Sequence, residues 1–89
     1  MTYVVLLHPK AVKELEDVDE PMRGRIKELL KELGSDPKAM GKQLKHSEYW
    51  SLRVGDYRAL YEILVERRQV IILFIGHRKN VYDDFSRLF

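Results

Sequence analysis

Three arginines, Arg53, Arg58 and Arg78, with His77 and Tyr82 near the last of them, are the side chains of this sequence best suited to anion chemistry. Arg53 and Arg58 flank a Gly55-Asp56 pair inside WSLRVGDYRALYEI, a run that reads as a sheet hairpin, and His77 and Arg78 follow an apolar run that ends at Gly76. A guanidinium keeps its charge because its pKa exceeds about 12, and its planar fork can hold two phosphate oxygens at once. His77 is the local side chain whose ordinary pKa, about 6.5, lies near working pH, which makes it the candidate acid or base. Cysteine is absent and His8 and His46 stand isolated, so there is no metal-ligand spacing, and no cofactor is expected. The group points to an anion site.

Each member also has a plainer role. Arg53 and Arg58 can pair with Glu62 or Asp56 across the hairpin. His77 can cap or pack, and Tyr82 can be a core aromatic with a wet hydroxyl. Lys42, Lys45, Arg67 and Lys79 are candidates for contact with nucleic-acid phosphates, against the alternative of solvated surface.

The elements that must position these residues follow from apolar periods. Residues 2–7 form a short, β-branched run stopped by Pro9, which reads as a strand followed by the first turn of a helix. Ala11, Val12, Leu15 and Val18 share one helical stripe; Met22, Ile26, Leu29, Leu30 and Leu33 share a second, ended by Gly34. A helical hairpin able to cover one sheet face results. After a loop at Ser35-Asp36-Pro37 the period shortens, and strands are expected over residues 43–45, 50–54, 57–65 and 70–76. Gly55-Asp56 is a two-residue hairpin turn. Val81, Phe85 and Leu88 fall at the spacing of a short terminal helix. The expected fold is α+β, in the order β-α-α-β-β-β-β-α, with a mostly antiparallel sheet and one domain over residues 1–89. Alternation sends Leu52 and Val54 toward the helices and Arg53 to the uncovered face, while the side taken by Arg58 depends on hairpin register.

Composition narrows the setting. The chain has 89 residues, is 45% hydrophobic, and must build a modest core without disulfides. Its apolar runs are far shorter than the roughly 20 residues of a membrane span, so a cytoplasmic protein is expected. A net charge of +2 does not by itself announce a nucleic-acid binder, but Lys and Arg outnumber Asp and Glu only after residue 41.

The ordered set "LRVGDYRALY" and "IGHRKNVY", with the strand between them and the helical hairpin before them, resembles the RelE/ParE toxins of toxin-antitoxin modules, in particular the RelE-like ribosome-dependent mRNA endoribonucleases. The resemblance spans nearly the whole chain. It implies a type II toxin that cleaves mRNA in the ribosomal A site and inhibits translation, with a RelB-like antitoxin, the ribosome and mRNA as partners, and it makes ribosomal RNA the expected contact of Lys42, Lys45, Arg67 and Lys79. It also implies a metal-independent cleavage site built from Arg53, Arg58, Arg78 and Tyr82. Members of that group carry lysines on the strand before the turn, where this chain has Ser51 and Arg53, and arginine serves poorly as a base. The ParE-like branch shares the fold but binds DNA gyrase and cuts no RNA. A non-catalytic, antitoxin-binding module is the third reading.

Overall fold

The computed structural model describes residues 2–79. Strand β1 (Val4–Leu7) turns Val5 and Leu7 inward and leaves Val4 and Leu6 exposed, as period 2 requires. Helix α1 (Pro9–Glu16) begins with proline in its first turn, and His8 caps it by accepting the Lys10 N–H on Nδ1 at 3.2 Å. Helix α2 (Met22–Leu33) follows, burying Ile26, Leu30 and Leu33. Its entry has no capping side chain on Pro21; Glu20 Oε1 instead accepts from the Gly24 N–H at 2.8 Å, satisfying one of the amides a helix start leaves unpaired. That bond, helped by the nearby Arg23, holds the Glu20 carboxyl below the usual range.

Gly34 ends α2 for a reason other than a left-handed turn, since its φ is −62°. The incoming chain crosses it backbone to backbone: Tyr3 N–H donates to Gly34 O at 2.7 Å, and a Cβ on Gly34 would sit 2.6 Å from Tyr3 O. The loop expected at Ser35-Asp36-Pro37 contains a short helix, α3 (Pro37–Met40), capped by Asp36 Oδ1 accepting from Ala39 N–H at 3.2 Å. The Tyr61 hydroxyl ties α3 to the sheet by donating to Pro37 O at 2.6 Å. Tyr61 is wholly buried, and burial pushes its phenol up to about 12.

Strands β2 (Lys42–Gln43), β3 (Tyr49–Val54), β4 (Tyr57–Leu64) and β5 (Gln69–His77) complete a five-stranded sheet in the order β1-β5-β4-β3-β2. Only the β1 and β5 pairing is parallel, so the mostly antiparallel α+β architecture expected from the sequence is the one observed. Boundaries shift at several strand ends: β1 begins at Val4 rather than at residue 2, β3 and β5 begin at Tyr49 and Gln69, each one residue earlier than expected, and β4 stops at Leu64. The second strand covers residues 42–43 rather than 43–45, and the last strand runs one residue past Gly76. The terminal helix expected around Val81, Phe85 and Leu88 lies outside the described residues.

The helices cover one face, where Leu52, Val54, Ala59, Tyr61, Val70, Ile72 and Ile75 meet Ala11, Leu15, Ile26, Leu30 and Leu33. Trp50 stacks on Tyr61 at 6.5 Å between ring centroids. The other face is the one expected to be left uncovered by the helices. It carries a smaller cluster of Leu60, Leu73 and Phe74, with Leu44, Tyr49 and Ile71 packed against it. A register shift between Leu60 and Tyr61 opposes them to Phe74 and Ile72, leaving Leu73 as the extra residue on β5.

β5 outruns its parallel neighbour. The His8 N–H still donates to Ile72 O at 2.8 Å, but at Ile75 the edge is taken over by α1, whose Glu14 Oε1 accepts the Ile75 N–H at 3.0 Å. A carboxylate thus finishes the ladder where β1 has ended.

Candidate anion-binding face

Residues directly opposed in a sheet share a face, so register assigns each side chain to one side. Val54 opposes Tyr57 across the Gly55-Asp56 turn, and Gly55 adopts the positive φ, +59°, that such a hairpin demands of one residue. The next pair is Arg53 with Arg58, and β5 continues that row with Gly76. Both arginines therefore stand on the face away from the helices, side by side, with no third side chain in their row on β5.

Arg78 joins them through the turn. Its N–H donates to Asp56 O at 2.7 Å, and its Nε lies 3.7 Å from Asp56 Oδ1. Arg53 Nε reaches the same turn, donating to Gly55 O at 3.4 Å. Three guanidinium-bearing residues thus gather around one two-residue turn. The pairing of Asp56 with Arg78 has no local signature, because it joins a hairpin tip to the end of a strand two elements later. Glu62 opposes Tyr49, two rows from Arg53 and Arg58, so the register does not make it the cross-strand partner of either.

His77 is not brought to this group. It opposes Tyr57, whose ring it meets edge-on at 5.6 Å between centroids, and Tyr57 packs against the main core. The imidazole therefore belongs to the helix-side face, and its Nδ1 accepts from the Lys79 N–H at 3.3 Å. Continuation of β5 through residue 77 is the cause: alternation that puts Gly76 beside Arg58 must turn the next side chain the other way. Tyr82 lies outside the described residues.

The four candidates for RNA contact are scattered. Lys42, on β2, opposes Ser51, and Lys45 is exposed in the turn after β2. Lys79 is exposed beside Arg78. Arg67 lines a depression of about 960 Å³ at the far end of the β3–β4 pair. Its walls also include Glu48, Glu62 and Glu66, which oppose rather than invite a phosphate.

Like charges directly opposite on a sheet are destabilising, by a few tenths to about 1 kcal/mol. Two guanidinium groups set side by side can both donate to one anion laid across them. The fold and this face together define a small helix-backed sheet domain with a cationic surface at one hairpin end.

Comparison with known proteins places the chain in a family. The ParE toxin family, described as the ParE toxin of the type II toxin-antitoxin system parDE, matches residues 5–82. A Methanocaldococcus jannaschii protein whose name assigns it as a toxin, RelE1, is 32% identical, across 94% of this chain and 99% of its own. This chain belongs to the RelE/ParE family of type II toxins. In the toxin-antitoxin complex RelBE2 of Mycobacterium tuberculosis, the similar chain is 30% identical, with a TM-score of 0.82 over 88% of this chain and 100% of that one. In the archaeal RelE-RelB complex of Pyrococcus horikoshii the values are 26%, 0.75, 88% and 97%. Among the described residues no helix is long and apolar enough to cross a membrane.

Proposed function

We propose that this toxin is a ribosome-dependent endoribonuclease that cuts mRNA at the ribosomal A site, with Arg53, Arg58 and Arg78 as its phosphate-handling residues. The observation that carries the reading is the register pairing of Arg53 with Arg58 beside Arg78 at a single turn. In the cleavage, a ribose 2'-oxygen attacks the adjacent phosphorus as its proton passes to solvent water, which also supplies the proton taken up by the leaving oxygen. The bond to the 5'-oxygen of the next nucleotide breaks, that oxygen takes up a proton, and a 2',3'-cyclic phosphate remains. Negative charge builds on the phosphoryl oxygens, which fixed guanidinium groups stabilise without reorganising. Tyr82 is retained from the resemblance as a base-stacking or orienting group. A RelB-like antitoxin is the proposed protein partner, since the similar chains from Mycobacterium tuberculosis and Pyrococcus horikoshii come from complexes with RelB.

The matching family description names ParE, and this favours a second reading, inhibition of DNA gyrase without RNA cleavage. One paired experiment separates them. Purified protein is added to programmed ribosomes, mRNA ends are mapped, and gyrase supercoiling is assayed in parallel. Cuts within A-site codons that disappear in Arg58→Ala support the endoribonuclease; intact message with blocked supercoiling supports the gyrase reading.

A further inference from the structure

Every lysine or arginine inside a described strand, namely Lys42, Arg53 and Arg58, is placed by register on the face away from the helices. Burial of the opposite face explains the side, but not the clustering. Arg53 and Arg58 form the row next to the Gly55-Asp56 turn, and Lys42 heads the adjacent row, opposing Ser51, which in turn opposes Leu60. The one acidic residue within a described strand, Glu62, lies a further row away. Charge on this face is therefore sorted along the strands, with cations toward the turn and the carboxylate beyond them.

Lys42 sits on the outermost strand and is exposed, and no ion pair engages it among the described residues. Ser51, the residue between Lys42 and the Leu60 position, is short. Neighbouring strands lie about 4.8 Å apart, and successive same-face residues about 6.7 Å apart along a strand. Arg58 and Arg53 thus stand side by side on β4 and β3, and Lys42 lies one strand and one row further, on β2, within a long side chain's reach of Arg53.

We propose that Lys42 holds the message phosphate next to the one gripped by Arg53 and Arg58, so that the RNA strand crosses the sheet from β4 toward β2. The proposal rests on the endoribonuclease reading and extends it. Lys42 acts here as a fixed positive charge, and the ribosomal-RNA contact considered for it from sequence is the competing role.

The test has two arms, each run with wild type, Lys42→Ala, Lys42→Arg and the control Lys27→Ala, an exposed lysine of α2. In the first, single-turnover cleavage is measured on programmed ribosomes carrying either ordinary message or message with an uncharged methylphosphonate on either side of the cut. Lys42→Ala is expected to lose about tenfold in apparent affinity with ordinary message. It should lose little more when the neighbouring phosphate is neutralised, and Lys42→Arg should restore binding. Losses from Lys42→Ala and from the methylphosphonate that simply multiply overturn the proposal. In the second arm, a 2'-O-methyl RNA oligonucleotide that cannot be cut is titrated by fluorescence anisotropy across a salt series. The slope of log affinity against log salt should fall by ~0.7 in Lys42→Ala alone, the value for one phosphate contact on a single strand. An unchanged slope refutes the role of Lys42. Wild-type protein that leaves ribosome-bound message whole refutes the endoribonuclease reading instead, and the oligonucleotide slope still decides for Lys42.

Discussion

Arg53 and Arg58 face each other across β3 and β4, directly opposed one residue in from the hairpin turn. On the endoribonuclease reading, stability and function pull in opposite directions at this pair. Replacing Arg53 with threonine, a good strand residue, removes the repulsion and should raise the melting temperature by roughly 2–4 °C, equivalent to about 0.5 kcal/mol for a domain of this size. The same change should reduce mRNA cutting by roughly a hundredfold, the usual effect of deleting one group that stabilises developing charge. Differential scanning calorimetry and single-turnover cleavage check the two halves. A variant that melts lower and cuts normally contradicts both.

On the endoribonuclease reading Asp56 competes with RNA for Arg78, because its carboxylate lies 3.7 Å from the guanidinium. The pair is exposed, so Asp56→Asn should change stability by no more than ~0.5 kcal/mol. It should tighten RNA binding at low salt, an advantage that fades as salt screens the lost negative charge. Oligonucleotide titrations at two ionic strengths, with thermal melts on the same samples, measure this.

Tyr61 links stability to alkaline pH. Burial raises its phenol to about 12 from an ordinary value near 10, so the folded state holds this proton more tightly than the unfolded chain does. The contribution is complete below pH 10 and is lost as pH rises from about 10 to about 12. Tyr61→Phe removes that dependence. It also leaves Pro37 O without its donor, at a cost of about 1–3 kcal/mol at neutral pH. Urea unfolding at pH 7 and at pH 10.5 should show the wild-type advantage shrinking at the higher pH.

Glu14 completes the edge of β5. Glu14→Ala leaves the Ile75 amide without the acceptor it has at 3.0 Å and should cost roughly 1–2 kcal/mol, whereas Glu14→Gln, which keeps an oxygen there, should cost less. Amide hydrogen exchange reads this locally, with Ile75 losing protection in the alanine variant while Leu60, in the middle of β4, keeps it.

What could be read from the residue order was the part governed by local period. The alternation Leu52, Arg53, Val54 and the Gly55-Asp56 turn are enough to predict a hairpin with Arg53 turned from the helices, whereas the side of Arg58 follows only from the register that pairs it with Arg53. The helical stripes likewise needed only spacing. Helix α3 was missed because four residues are too few to display a period, although Asp36-Pro37 carries its capping chemistry. His77 was misplaced because one residue of strand length separates a free loop side chain from one turned into the helix-side face. The bond of Glu14 to Ile75 and the pairing of Asp56 with Arg78 depend on tertiary closure, which no local pattern encodes.

The parallel pairing of β1 with β5 gives the molecule a built-in order of assembly. Strand β1 must wait for β5, with three helices and three strands synthesised in between. Until residues 69–77 have been made, β4 lacks a neighbour on that side and the hairpin bearing Arg53 and Arg58 is an incomplete fragment, marginal in water on its own. Nascent chains halted before that point carry the arginines but not the surface that aligns them, so topology delays arming of the protein during its own translation.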